Sequence, residues 1–399
     1  MTSSSKRSGT LFFCFADPAG FSGQKAATEL VIKGLADRGW LCRRLPQPVL
    51  ARGGEGLGLL GYLFALAAAW VRELPLLWAG GGWLNVNLGQ TRIAFLRDSV
   101  PLLLGRVGLG CEHVVISLHS SLFMQWADKS LDVRIFRFLL RNAGRVTVLG
   151  ERQRARLLAL GFSPERVVVL VNSCELAPVA AEAVAAKHAL APNSDRPVRC
   201  LHLSALIDTK GYPEYLEALR RLSDQAGPRA EAVLCGRLVT SDFSGRFRDV
   251  SSAEAWIEQQ MAAINSGPRV RVRWIKGAVG VDKAALFREA DIFVLPTRYA
   301  VEAQPLVLLE AMASGCAIIT TRAGQITTIL DEQSAVFLPE GSTDAAAEAL
   351  QMLIGDSEAR SRLASAAHAR FVSEYAIERH LDQWERLLGA PDTGSKGTA

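Results

Sequence analysis

The sequence lacks most of the short motifs by which an enzyme class can be read directly. There is no Walker loop, no G-x-S-x-G and no G-x-G-x-x-G at the first strand. A P-loop NTPase, a nucleophile-elbow hydrolase and a dinucleotide-dependent dehydrogenase are therefore not indicated. Cysteine is sparse, with seven in 399 residues and no C-x-x-C pair. Several sit in apolar, strand-like runs, which suits buried reduced thiols and a cytoplasmic setting. Lys and Arg form no block, and the net charge of +5 is too mild to mark a nucleic-acid binder. His113 and His119 lie on one strand-like run without a carboxylate cluster, so neither a metal nor another cofactor is expected. The apolar run Leu11–Phe15 behind Lys6 and Arg7 is too short for a signal-peptide core and ends at Asp17-Pro18.

What is present is an ordinary folded composition, 49% apolar and 21% charged. The length suits two domains. Short apolar runs alternate with helical patterns. Leu11–Phe15, Leu74–Trp78, His113–Leu118, Val146–Leu149 and Val167–Val171 read as strands. Lys25–Arg38, Val133–Asn142 and Glu151–Leu160 read as helices. Proline and alanine between Glu175 and Pro197 suit a connection, after which the alternation restarts with Cys200–Leu203, Ala230–Cys235, Val270–Ile275, Ile292–Leu295 and Ala317–Thr320. This β–α order predicts two successive α/β units with parallel sheets. Ala345–Leu388 reads as helical, and the polar end after Pro391 as a disordered tail. Leu57–Trp78 is just long enough to span a bilayer, but Arg72, Glu73 and Pro75 interrupt it. It is expected to be a buried or surface-lying helix.

The strongest local signal runs from Pro296 to Gly315. A buried strand ends at Pro296, a loop carries Glu302, and a helix begins near Pro305 and stops at Gly315. Proline suits a first helical turn. Free N–H groups at a helix start, at the carboxyl end of a strand, make a site for an anion such as a diphosphate. Glu302 and Glu310 add carboxylates that can accept hydrogen bonds from sugar or ribose hydroxyls.

The spacing Glu302-x7-Glu310 within strand–Pro–loop–helix–Gly resembles the signature of the retaining GT-B glycosyltransferases of family 4. Leu203–Gly211, with its terminal Lys210-Gly211, is similar to that family's strand-to-loop segment. Glu231–Gly236, Val272–Gly277 and Asp282–Thr297 resemble the stretches leading to the signature. Phe15–Gln24, with Gly20 and Gly23, resembles the glycine-containing first loop, and Ile116–Ser120 a strand ending in histidine. The resemblance implies two Rossmann-like doubly wound domains facing across a cleft. Residues 1–177 would bind the acceptor and 198–370 the donor, joined by a linker at 178–197. Residues 371–390 would form a helix packing back on the first domain.

Site roles follow from the same resemblance. Glu302 would lie by the donor sugar, Glu310 on ribose hydroxyls, Lys210 on diphosphate oxygens and His119 on the donor sugar. Gly23, Ser204, Gly277, Gln304, Leu306 and Val307 would complete the donor site. No Asp-x-Asp occurs, the element with which metal-dependent glycosyltransferases commonly hold a cation. The family's arginine before the lysine is replaced near Ser204 and Ala205, with Arg298 and Arg237 as candidate substitutes. Ala303, Gln304 and Pro305 replace the usual glycines and aromatic residue, and Gly324–Thr328 lacks the later glutamate. The implied reaction is retaining, metal-independent transfer from a nucleotide-sugar to a glycan or lipid-linked sugar. Leu57–Trp83 and Arg92, Arg97, Arg106, Arg134, Arg137 and Arg141 would suit peripheral membrane contact. A sugar-nucleotide epimerase or a non-catalytic nucleotide-sugar-binding subunit would share the architecture.

Overall fold

The computed structural model describes residues 9–18, 22–50, 58–78, 81–189, 196–240 and 243–389. Gly20, the 190–195 part of the expected linker and the expected tail at 391–399 lie outside them. The chain divides into two units, Met1–Ser173 with Ile377–Ala399, and Cys174–Ala376.

The first unit has a six-stranded sheet in the order β2-β1-β3-β4-β5-β6. Its strands are β1 (Thr10–Ala16), β2 (Leu41–Gln47), β3 (Gly82–Asn87), β4 (Val114–Ser117), β5 (Arg145–Val148) and β6 (Val167–Val169), all paired in parallel. The helices are α1 (Gly23–Asp37), α2 (Leu59–Trp78), α3 (Arg92–Leu109), α4 (Leu131–Leu140) and α5 (Glu151–Ala159). The second unit has its own six-stranded parallel sheet, in the order β12-β11-β10-β7-β8-β9. It comprises β7 (Val198–Leu203), β8 (Ala230–Cys235), β9 (Val270–Ile275), β10 (Ile292–Leu295), β11 (Ala317–Thr321) and β12 (Val336–Leu338). Its helices are α6 (Ala181–His188), α7 (Tyr212–Ser223), α8 (Val250–Ser266), α9 (Gly280–Glu289), α10 (Leu306–Ala313), α11 (Ile326–Ile329), α12 (Thr343–Gly355) and α13 (Ser357–Arg370). The final helix, α14 (Ile377–Leu387), returns to the first unit, where Leu381, Trp384 and Leu387 join a core with Phe13 and Leu35. Strand order reverses between β1 and β3 and between β7 and β10. Ligands of such sheets sit outside the carboxyl ends of the strands at these reversals.

Several sequence expectations are corrected. Leu74–Trp78 is the last part of α2 and not a strand. The helical period persists through Pro75, and Glu73 is buried where its carboxylate accepts from Gln47 Nε2 at 2.7 Å. Strand β3 escaped notice because one of its two buried faces is polar and breaks the apolar run: Leu84 and Val86 enter the core, but Asn85 Nδ2 donates to Asn87 Oδ1 at 3.0 Å, and Ser117 Oγ donates to Asn85 Oδ1 at 2.7 Å. Helix α3 was hidden by Pro101 and by apolar residues on two faces. The stretch read as a linker contains α6, which is built into the second unit. Val179 N donates to the Ala313 carbonyl at 3.0 Å, and Lys187 Nζ to that of Ser314 at 2.8 Å. His188 Nε2 lies 2.9 Å from the Gly315 carbonyl. These groups occupy carbonyls at the end of α10, which would otherwise lack partners.

His202 in β7 is fully buried and stacks on Tyr215. Its Nδ1 lies 2.9 Å from the Val294 carbonyl and its Nε2 3.0 Å from Ser204 Oγ. Burial pushes this imidazole from 6.5 down to about 3. The unfolded chain therefore takes up a proton that the folded chain refuses, and stability falls as pH drops below the unfolded value. We expect the melting temperature of the parent to fall faster than that of His202→Gln as pH is lowered from about 6.5 to about 4, the difference reaching roughly 2 kcal/mol near pH 5. Parallel melting curves for the two proteins over that range would refute the assignment.

Candidate active site

The site in the second unit is built where two loops meet. After β7 the chain runs through Ser204 to a short turn, Asp208–Lys210, and reverses at Gly211. Gly211 has φ 92°, and a Cβ there would stand 2.4 Å from the Pro296 carbonyl oxygen. Only glycine permits both the conformation and the approach. The Lys210 turn is thereby laid against the loop that leaves β10, and Arg298 N donates to the Thr209 carbonyl at 2.8 Å. Lys210 Nζ reaches Glu302 Oε2 at 3.0 Å, while Thr297 Oγ1 donates to the same oxygen at 3.3 Å. Lys210 also lies 4.8 Å from the Tyr299 ring centroid, and Phe243 packs edge-on to that ring. Both ends of the ion pair are largely buried, with side-chain exposures of 19% and 7%. Gly324 closes the other side, where a Cβ would come within 2.1 Å of the Glu302 carbonyl.

Asp208 holds the turn from beneath. Its buried carboxylate accepts from the backbone N–H groups of Thr209 at 2.7 Å, Gly245 at 2.8 Å and Phe247 at 3.3 Å, and also from Arg246. The loop after β8 is thus tied to the Lys210 turn.

Helix α10 begins after Pro305, which has the extended backbone of an N-cap at φ −64° and ψ 118°. The first N–H groups, those of Leu306 and Val307, have no carbonyl one turn back and face the loop end. Glu310 is buried in this helix at 3% exposure. Its Oε1 accepts from Lys283 Nζ of α9 at 2.5 Å, and its Oε2 is buried without a hydrogen-bond partner. Burial raises the Glu310 pKa and Lys283 opposes that shift. Lys283 is a site residue that sequence reasoning missed. Its only local signal was a lysine in the first turn of a helix, and its partner lies on another helix. Tyr299 was missed for the same reason.

The other expected positions divide by unit. Ser204 Oγ is already engaged with His202 and the Ala205 carbonyl. Gly277 has φ 123° and faces the stem of Arg237, which is exposed at the end of β8. Arg298, proposed as a phosphate contact, instead donates to Glu214 at 3.2 Å. Gln304 is buried just before α10. His119 and Gly23 belong to the first unit. Gly23 opens α1, and among the described residues no atom lies within 4 Å of where its Cβ would stand. His119 follows β4, has an unpartnered Nδ1 and lines a mixed cavity, with Asn85, Ser117 and His380 on its polar side and Phe13, Leu170 and Trp384 on its apolar side. Burial lowers its pKa to about 4. Among the described residues, no cluster of three or more His, Cys, Asp or Glu side chains could hold a metal ion.

This geometry offers an ammonium and the first N–H groups of a helix to an anion, and a buried, unpartnered oxygen of Glu310 to a hydroxyl donor. The model of glycosyl transferases group 1 matches residues 187–370, and that of the glycosyl transferase 4-like domain matches 20–173. The chain belongs to the family 4 GT-B glycosyltransferases. It is 24% identical over 251 residues to the lipopolysaccharide core biosynthesis glycosyltransferase LpsE of Rhizobium meliloti, a match covering 62% of each chain. It is 34% identical over 118 residues to the D-inositol 3-phosphate glycosyltransferase of Corynebacterium glutamicum, covering 29% of this chain and 28% of that one. The chain thus spans less than two thirds of the curated relatives it matches. Anabaena Alr3699/HepE, solved in complex with UDP and glucose, superposes with a TM-score of 0.67 at 16% identity, covering 96% of this chain and 99% of that one. At that identity the likeness shows the fold.

Lys283→Met leaves the Glu310 carboxylate buried without its cation. Breaking a buried pair from one side costs about 3–5 kcal/mol. We expect denaturant titration to show a loss of that order, and the double variant Lys283→Met/Glu310→Leu to regain part of it. A double variant no more stable than the single one would show that the pair does not hold α9 to α10.

Proposed function

We propose that the chain is a retaining, metal-independent glycosyltransferase. It moves a sugar from a nucleoside-diphosphate sugar to a hydroxyl of a glycan or lipid-linked glycan in cell-surface polysaccharide synthesis, in the cytoplasm. The observation that carries the reading is the buried Lys210–Glu302 pair at the β7/β10 reversal, beside the start of α10. The diphosphate lies on the N–H groups of Leu306 and Val307, and Lys210 turns from Glu302 to its oxygens. Charge grows on those oxygens as the glycosidic bond breaks, so the ammonium, once turned to them, and the helix dipole stabilise the transition state more than the bound donor. Glu302 holds the donor sugar, and Glu310 Oε2 accepts from a ribose hydroxyl. The lysine and the helix start supply the positive charge that a divalent ion brings elsewhere, and the sequence has no Asp-x-Asp.

The acceptor oxygen bonds to the anomeric carbon as the bond to the diphosphate oxygen breaks. The acceptor proton passes to that departing oxygen, giving a glycoside and a nucleoside diphosphate. Retention follows if attack and departure share one face of the sugar, which requires no enzyme nucleophile. His119 stays neutral near pH 7, because its pKa is lowered to about 4, so it serves as a hydrogen-bonding group to sugar hydroxyls and not as a cation. Because HepE was solved with UDP-glucose, UDP-sugars are the first donors to test.

A thermal-shift panel of nucleotide-sugars should single out one donor by specific stabilisation. With that donor, Lys210→Gln and Glu302→Gln should each lower transfer by about 10²-fold or more, the scale of losing one preorganised charge contact. Near-parental rates in both would overturn the site assignment. Inversion at the anomeric carbon, read by NMR of the product, would overturn retention alone.

A further inference from the structure

Helices α2, α3 and α4 of the first unit each bury one apolar stripe and expose a second. In α2 the buried side is Tyr62, Leu66, Ala69 and Leu77. The opposite side, at the same helical period, shows Leu60, Phe64, Val71 and Trp78 to solvent, with exposures of 83%, 79%, 75% and 59%. Exposed Ile93, Leu96 and Val107 follow the same spacing along α3, and Leu131 and Phe138 along α4. Twelve of the twenty large apolar side chains left exposed among the described residues lie on these three helices. The helices are neighbours. Trp78 Nε1 of α2 donates to the Leu104 carbonyl of α3 at 3.4 Å, and Arg92 of α3 pairs with Asp132 of α4 at 2.8 Å. A soluble surface this rich in apolar side chains marks an interaction site.

Charge on these helices is one-sided. Glu73 is buried against Gln47 and Arg72, Asp98 is buried against Arg97, and Asp132 is neutralised by Arg92. The acids are thus turned inward or paired. Arg106 and Arg134 are exposed on α3 and α4, and Arg141 at the end of α4. Apolar stripes bordered by guanidinium groups that have no acidic partner among the described residues suit one partner above others, a lipid surface with anionic headgroups. The packing of α2 also decides how it would meet that surface. Its inner stripe is committed to the core of the first unit, so it lies along the surface over about 30 Å and does not cross it.

We propose that the outer face of α2, α3 and α4 docks this protein on an anionic bilayer, with Phe64, Val71 and Trp78 inserted and the arginines at the headgroups. The proposal stands apart from the transfer chemistry. Purified full-length chain should float with vesicles of phosphatidylcholine mixed with phosphatidylglycerol, and less with phosphatidylcholine alone. Phe64→Glu/Val71→Glu should lower the bound fraction at least about tenfold, because it places charge in the inserted stripe. Arg106→Gln/Arg134→Gln/Arg141→Gln should remove only the preference for anionic vesicles. Both variants should keep the parent's melting temperature and its thermal shift with UDP, so a failure of the donor reading is seen separately from a failure of docking. Parent protein that stays at the bottom with anionic vesicles would overturn the proposal. So would a parent dimer, by light scattering, that Phe64→Glu/Val71→Glu turns into a monomer, since the face would then belong to a second copy.

Discussion

The contact of the Gly211 turn with the Pro296 carbonyl is the constraint on which the second unit's site depends. A side chain at 211 cannot fit, and without that approach Lys210 cannot reach Glu302. The pair then lies largely out of water, where charges interact strongly but pay for desolvation. Thr297 and the Tyr299 ring offset part of that cost by giving the two groups further partners. An anionic ligand reaching Lys210 meets a cation already largely out of water that need only turn from Glu302, which lowers the reorganisation left for the reaction.

Helix α10 is the second element of this arrangement, and it is fixed from both ends. Its beginning is set by Pro305, and its end by Val179, Lys187 and His188, which occupy the terminal carbonyls. Lys283 then holds Glu310 from the side. Burial raises the pKa of this carboxylate, the ammonium opposes that shift, and the second oxygen is buried without a hydrogen-bond partner. The stretch between Glu175 and Pro197 looked like a tether by composition, yet its Val179, Lys187 and His188 brace the helix that carries the site.

The first unit solves a different problem. Asn85, Asn87, Ser117 and Thr147 form a hydrogen-bonded chain inside its sheet. Each buried polar group there needs a partner, and the neighbouring strands supply them. That polar core hid β3 from a reading based on apolar runs. The apolar outer face of α2–α4 hid α3 in the opposite way, since a helix apolar on two sides has a weak periodicity.

Local order was legible from the sequence. Glycines and prolines that punctuate the chain, with alternating apolar runs, sufficed for most strands of the second unit and for the strand–Pro–loop–helix frame of α10. These signals are short-range, because periodicity and turn chemistry act within a few residues. Which charges meet was decided only by the tertiary structure. Lys210 and Glu302 are 92 residues apart, and Lys283 and Glu310 are 27 apart on different helices. Arg298, a candidate phosphate contact by sequence, pairs with Glu214 of another element. Such pairings follow from the order and register of the β-strands, which bring distant loops to one end of the sheet, and no local pattern encodes them.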